Sequence, residues 1–303
     1  MTARLPDLVH AVAAALRMWA EGLDDVLRAA FAELNATSGV GAADGANVYL
    51  RVLSQPVLLL PAWLGEGLPD ATVVDVLGSA LAGYLAVRLQ DDWIDEGRGD
   101  PATAMLLATA LLARHTALVG QHMRDGRYWQ LHGQLWLRYA EAMAFERRLA
   151  AGHGAYDDAA FDRVLQRSEP LLLPAAALLL LADRWHELGV LTALVQATVR
   201  AHQHFDDLRD ALDDFGRGQR TWLAARSGAA DGNGLMAWLL RGGAEAVLAA
   251  AEADLAVARS AALTLQLPPA LAWLDARGMA MRQWQQRLVA GYLARILAGP
   301  APS

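Results

Sequence analysis

The period of the apolar residues constrains this chain most. They recur at helical spacing, as in Met105, Leu106, Leu107, Leu111, Leu112 and Leu118, while alternating runs with valine and threonine are scarce. Residues three and four apart share a helix face and residues two apart share a strand face, so the pattern predicts an almost entirely helical chain. The breaks agree with it. "NATSGVGAADGAN" (35–47), "EGRGDP" (96–101), "AAGHGAYDD" (150–158), "DDFGRGQR" (213–220) and "RSGAADGNG" (226–234) collect the residues that end helices and form turns. Between these connections lie about ten helices, which suits one large all-α bundle spanning 1–303.

Composition narrows the setting. With 303 residues, 55% hydrophobic and 19% charged, the chain can bury a large core, and no shift in composition marks a second domain. A net charge of −7 argues against an extended basic surface for nucleic acid. The absence of cysteine removes disulfides, thiolate nucleophiles and cysteine metal sites, and fits a reducing, cytoplasmic setting. The opening "MTARLPDLVHAVAAALRMWAEGLDD" does not read as a signal peptide. "PLLLPAAALLLLAD" (170–183) is the most membrane-like run, but it is too short for a spanning helix, so it is expected as a buried helix and no transmembrane segment is expected. No zinc-protease or G-x-S-x-G motif is present, nor the paired Glu-x-x-His of a di-iron bundle; His186, Glu187, Glu141 and Glu146 read as surface or satisfied polar positions.

Two acidic clusters carry the chemistry. "VRLQDDWIDEGRGD" (87–100) ends an apolar stretch with Asp91, Asp92 and Asp95, and "AHQHFDDLRDALDDFGRGQR" (201–220) repeats the D-D-x-x-D spacing at Asp206, Asp207 and Asp210. If the helix continues through the first cluster, Asp91 and Asp95 lie on one face roughly 6 Å apart. At an effective dielectric near 20 their repulsion costs about 3 kcal/mol, so the arrangement needs solvent or a neutralising cation. Both clusters fall near the C-terminal ends of predicted helices, where the helix dipole disfavours carboxylates. Two facing clusters would suit Mg²⁺, which takes hard oxygen ligands together with water and substrate phosphates.

With their flanks, the clusters resemble the two aspartate-rich motifs of the trans-isoprenyl diphosphate synthases and their cyclase relatives, the all-helical class I isoprenoid synthases. Gln203 stands three residues before Asp206 as the glutamine of the family's second motif does, "EGRGDPAT" resembles its Arg-Arg-Gly-x-Pro segment, and "QPVLLLPAW" (55–63) resembles the apolar run after its early basic motif. The resemblance implies three Mg²⁺ ions that bind an allylic diphosphate and trigger its ionisation. It implies Asp91, Asp95 and Asp206 as the main metal ligands, assisted by Asp92, Asp207 and Asp210, and it implies a homodimer.

The departures matter as well. On this alignment the lysine and second arginine of the isopentenyl diphosphate motif become Val52 and Gln55, and the histidine seven residues before the first aspartate becomes Tyr84. Neither Val52 nor Gln55 supplies a fixed cation. The first arginine of the Arg-Arg-Gly segment becomes Gly97, leaving Arg98, and the family's central Lys-Thr pair reads "RSEP" (167–170). With Gln203, therefore, Arg98, Arg167, Arg217 and Arg220 are the diphosphate-binding candidates. The expected function is a Mg²⁺-dependent terpene synthase that ionises and cyclises or rearranges a linear C15–C20 or longer prenyl diphosphate. The alternatives are a trans-prenyl diphosphate synthase or a partner subunit of a heteromeric prenyl synthase.

Two further features have competing readings. Pro170 and Pro174 mark either an ordinary helix start at Glu169-Pro170 or a kink that exposes carbonyl dipoles to a carbocation. In the family the prenyl tail runs along the helix before the first motif, where this chain has Val87, Ala86 and Gly83; small side chains there either leave a channel for a long tail or admit a neighbouring helix.

Overall fold

The computed structural model describes residues 4–37, 56–96 and 100–298, with backbone alone at 35–37, 56–57, 92–96 and 288–298. All regular structure among the described residues is helical. In chain order the α-helices are α1 (Arg4–Glu21), α2 (Asp25–Thr37), α3 (Pro56–Leu64), α4 (Asp70–Glu96), α5 (Pro101–Gly120), α6 (Gly126–Ala150), α7 (Asp158–Leu165), α8 (Leu173–Leu181), α9 (Leu188–Arg209), α10 (Ala211–Gly216), α11 (Trp222–Ser227), α12 (Gly232–Trp238), α13 (Ala244–Thr264) and α14 (Pro268–Ala298).

The chain packs as two compact units, Met1–Gln134 with Pro170–Leu191 and Leu135–Glu169 with Thr192–Ser303. In the first unit α4 packs on α5, α1, α3 and α8. Val73, Val76, Leu77, Ala80, Leu81 and Leu85 form its buried stripe at three- and four-residue spacing. Ala82, Gly83 and Ala86 are buried too, so this helix is covered on more than one face. In the second unit α13 packs on α14, and α9 buries Leu194, Val195, Thr198, Ala201, His204, Phe205 and Leu208.

Helix ends fall within the predicted connections 96–101, 150–158, 213–220 and 226–234, whereas the breaks between α1 and α2, α3 and α4, α5 and α6, and α8 and α9 were not among them. Asp100 caps α5 by accepting from the Thr103 backbone N–H at 2.8 Å, with Pro101 in the first turn; Asp157 caps α7 through Ala160 at 2.8 Å. Two predicted loops are shorter than expected. The short α10 occupies the start of 213–220, and the connection within 226–234 shrinks to 228–231, where Gly228 takes a left-handed conformation that closes α11.

Pro170 lies in a 3₁₀ turn, Gln166–Leu172, and Pro174 in the first turn of α8, where its missing N–H costs no hydrogen bond. The helix thus starts about three residues after the expected Glu169-Pro170, and the proline pair separates two helices instead of kinking one. Leu173 to Leu179 are all buried, as expected for the apolar run. Apolar stretches longer than 170–183 are present among the described residues. By length and composition alone, Asp70–Asp91, Pro101–Gly120 and Asp158–Leu181 are long and apolar enough. The first and last bury 56% of that apolar window inside the protein and Pro101–Gly120 only 33%.

Candidate functional site

In the first unit α4 continues through the first acidic cluster to Glu96, so Asp91 and Asp95 occupy one helix face. Asp91 is partly exposed, and its carboxylate lies 3.9 Å from Arg88 Nη1. A pair that long between side chains this exposed is worth little. Of Asp92 and Asp95 the backbone alone is described, and Gly97 and Arg98 lie outside the described residues, as do Val52 and Gln55. Tyr84 packs, half-buried, against the core of this unit.

Behind the cluster, a Cβ at Gly83 would meet His115 Nδ1 at 3.1 Å. The glycine therefore admits the neighbouring α5, the packing alternative at that position. Ser79 donates to the His115 carbonyl at 3.0 Å, and His115 Nδ1 lies 2.9 Å from the Ser79 carbonyl. Burial lowers the His115 pKa, and because a carbonyl oxygen can only accept, Nδ1–H is the donor to Ser79. Ala86 is fully buried and Val87 half-buried.

The second cluster sits where α9 ends. Gln203 and Asp207 are one turn apart, and Gln203 Nε2 donates to Asp207 Oδ1 at 2.7 Å. The Gln203 oxygen accepts from Arg167 Nη2 at 3.3 Å, and Arg167 Nη1 reaches both Glu146 oxygens at 2.5 and 2.6 Å. A polar chain thus runs from Glu146 on α6, through Arg167 in the 3₁₀ turn, to Asp207 on α9. Asp207 is only 5% exposed, and burial pushes its carboxyl up to about 7, against the opposing pull of Gln203 and Arg167. Tyr156 adjoins the same group; burial, then the charges of Glu146 and Asp207, raise its hydroxyl far above the ordinary phenol range.

Asp206 and Asp210 face a different partner. Arg209 donates from Nε and Nη2 to the two Asp210 oxygens at 3.0 and 2.7 Å, while its Nη1 lies 2.9 Å from Asp206 Oδ1. The other Asp206 oxygen is 3.3 Å from His202 Nε2, and Arg277 of α14 holds His202 Nδ1 at 2.5 Å while covering the Phe205 ring. The remaining diphosphate candidates lie in this unit, but the structure shows them on other partners. Arg217 donates to Asp214 at 2.6 Å, and Arg220 reaches the Leu149 carbonyl at 3.4 Å.

The carboxylates fit a hard cation by donor type. Asp91 and Asp210 are part-exposed, Asp206 is part-exposed although its Oδ1 beside Arg209 is buried, and Asp207 turns inward to Gln203. Among the described residues no three acidic or histidine side chains form a group able to hold a metal ion. An open cleft of about 180 Å³ in the second unit, lined by Asp162, Leu165, Glu169, Gln196 and Arg200 among others, is below the usual size of a ligand pocket, and Glu169 and Arg200 are already paired there.

Sequence reasoning singled out neither Arg209, although it stands inside the motif, nor Tyr156 and Arg277. It took Glu146 for a surface or satisfied position, and the structure makes it the partner of Arg167.

No protein-family model matches the sequence, and no curated protein matches it significantly. Two solved structures are similar to this one. A geranyltranstransferase from Methanosarcina mazei superposes with a TM-score of 0.64 at 14% identity, over 90% of this chain and 94% of that one. A geranylgeranyl pyrophosphate synthetase from the archaeon Geoglobus acetivorans gives 0.65 at 12% identity, over 90% and 98%. At such identities the likeness speaks for architecture alone, and by that architecture the chain has the all-helical isoprenoid synthase fold that its paired aspartate clusters implied.

Proposed function

We propose that the protein is a prenyltransferase acting on an allylic prenyl diphosphate. The observation that carries this reading is the likeness, over 90% of the chain, to a geranyltranstransferase and a geranylgeranyl pyrophosphate synthetase. It reverses the order of preference drawn from sequence, which placed terpene synthase first. The second reading, ionisation and rearrangement without isopentenyl diphosphate, keeps one specific support: Val52, Gln55 and Tyr84 stand where the elongating relatives carry cationic or hydrogen-bonding groups.

In this proposal Asp91 and Asp95 of the first unit and, separately, Asp206 and Asp210 of the second would hold Mg²⁺, which would supply the charge that stabilises a departing diphosphate. The chain's own residues prepare the site. Glu146 fixes Arg167, Arg167 fixes Gln203, and Gln203 holds Asp207 inward, leaving Asp206 and Asp210 as the outward carboxylates of the second cluster. Arg98, Arg217 and Arg220 are the proposed diphosphate contacts, and Ala86 and Val87 the proposed wall along the tail. A homodimer belongs to the proposal through α5, whose Met105 and Leu106 are 64% and 58% exposed. A cytoplasmic location belongs to it through the cysteine-free composition.

The test is incubation of the purified protein with Mg²⁺ and C10, C15, C20 and C25 prenyl diphosphates, with and without labelled isopentenyl diphosphate. Label in a longer product is the expected result. Diphosphate release without label uptake would give the second reading the lead, and no release with any substrate would overturn both in favour of a non-catalytic subunit.

A further inference from the structure

The two acidic clusters differ in what stands at their fourth position. In the first it is Ile94, in the second Arg209. The Arg209 guanidinium is planar, with donors in a fixed fork, and it spans two carboxylates: Nε and Nη2 take both oxygens of Asp210, and Nη1 sits 2.9 Å from Asp206. The surroundings explain why it stays. Asp206, Asp207, Asp210, Asp213 and Asp214 crowd nine residues, the first two in the last turn of α9 and the other three at the cap and first turn of the short α10, so their mutual repulsion favours a cation among them. Asp214 is held by Arg217, and the second Asp206 oxygen faces His202, which Arg277 holds. Arg209 is therefore the protein cation placed on the two outward carboxylates together.

We propose that Arg209 is a built-in counter-cation of the second acidic cluster, which a divalent ion must displace from Asp206 and Asp210, so that this one residue lowers and sets the cluster's metal affinity. The inference rests on the reading of Asp206 and Asp210 as metal ligands. Both a guanidinium and a divalent cation need the same carboxylate oxygens, and the two positive charges repel at that distance. A lysine at 209 would compete less well, since an ammonium is a point charge that cannot grip two carboxylates in fork geometry.

The experiment is a titration of the metal-free full chain with Mn²⁺, counting free Mn²⁺ by electron paramagnetic resonance, for the wild type, Arg209→Gln and Arg209→Lys. Arg209 is 45% exposed, so both variants should fold, which circular dichroism checks. The expected result is that Arg209→Gln tightens one class of site about tenfold, equivalent to about 1.4 kcal/mol, with Arg209→Lys in between. Adding Asp206→Asn to Arg209→Gln should remove the gain. Unchanged or weaker binding in Arg209→Gln would overturn the inference; should that variant not fold, Arg209→Lys decides it the same way. Turnover is read separately. Tighter Mn²⁺ binding without turnover on any prenyl diphosphate would refute the prenyltransferase reading and leave the inference standing, whereas turnover with unchanged Mn²⁺ binding would do the reverse.

Discussion

On α4, Asp91 rides a helix that runs on to Glu96, with Arg88 3.9 Å away. Where α9 ends, Asp206 and Asp210 close on Arg209, and Asp207 turns into the protein toward Gln203. Identical D-D-x-x-D spacing thus sets different cations beside the described carboxylates: Asp91 has Arg88 at 3.9 Å, while an arginine inside the motif takes Asp206 and Asp210. Spacing sets which carboxylates share a helix face. The residues between and behind them set what each carboxylate can still bind.

The largest test of this contrast is on turnover. Asp91→Asn and Asp206→Asn should each slow diphosphate release by roughly 10²-fold or more, measured in a coupled diphosphate assay. If Asp206→Asn turns over normally while Asp91→Asn does not, the second cluster is an internal ion network and the comparison breaks.

Next is Asp207, which should behave unlike its neighbours. Its carboxyl is raised to about 7 in the folded protein against an ordinary 3.8, so its contribution to stability is fully present below 3.8 and lost as pH rises through 7. Asp207→Asn should therefore stabilise the metal-free protein at pH 8, by at most about 4 kcal/mol, with the gain vanishing near pH 4. Asp91→Asn should stay within about 0.5 kcal/mol at either pH. Urea unfolding at both pH values checks both statements, and equal effects would erase the distinction.

The two units should also answer acid differently. His115 and His132 of the first unit are held below the ordinary histidine value of 6.5 by burial, His132 down to about 4. Stability from keeping these rings neutral is present above pH 6.5 and lost as pH falls through about 4. In the second unit His204, lowered to about 4 by burial, acts in the same direction, but Asp207 at about 7 and Asp254 at about 6, both raised by burial, act in the opposite one. Between pH 7 and 5, hydrogen-exchange protection should fall around residues 115–132 and hold around 203–207. Matching losses in both regions would contradict the assignment.

The smallest expected effect concerns the packed face of α4. Ala86→Phe adds a ring at a fully buried position, costing about 1–3 kcal/mol, and if the tail passes there it should shift preference from C20 and longer substrates toward C10. Kinetics across C10 to C25 would show the shift. An unchanged profile in a folded variant would place the tail elsewhere.

Much of this was legible in the residues themselves. Asp100 with Pro101 and Asp157 mark helix starts because a cap acts within three residues, and the burial stripe of α4 follows from a three- and four-residue repeat. Gly83 was open to two readings because a missing side chain does not say what fills its place, and the His115 ring lies where a Cβ would go.

The sequence by itself determined the all-helical class, several helix ends and the two acidic clusters, because helix periodicity, caps and motif spacing are local properties of a few consecutive residues. Tertiary structure alone decided that Glu146 takes Arg167, 21 residues away, that Arg167 meets Gln203, 36 away, and that Arg277 reaches His202 across 75. Those partners follow from which helix faces pack together. Burial then decided that Asp207, alike in sequence to Asp92, is an inward-facing acid with a raised pKa, since desolvation depends on what covers a carboxyl and not on its neighbours along the chain.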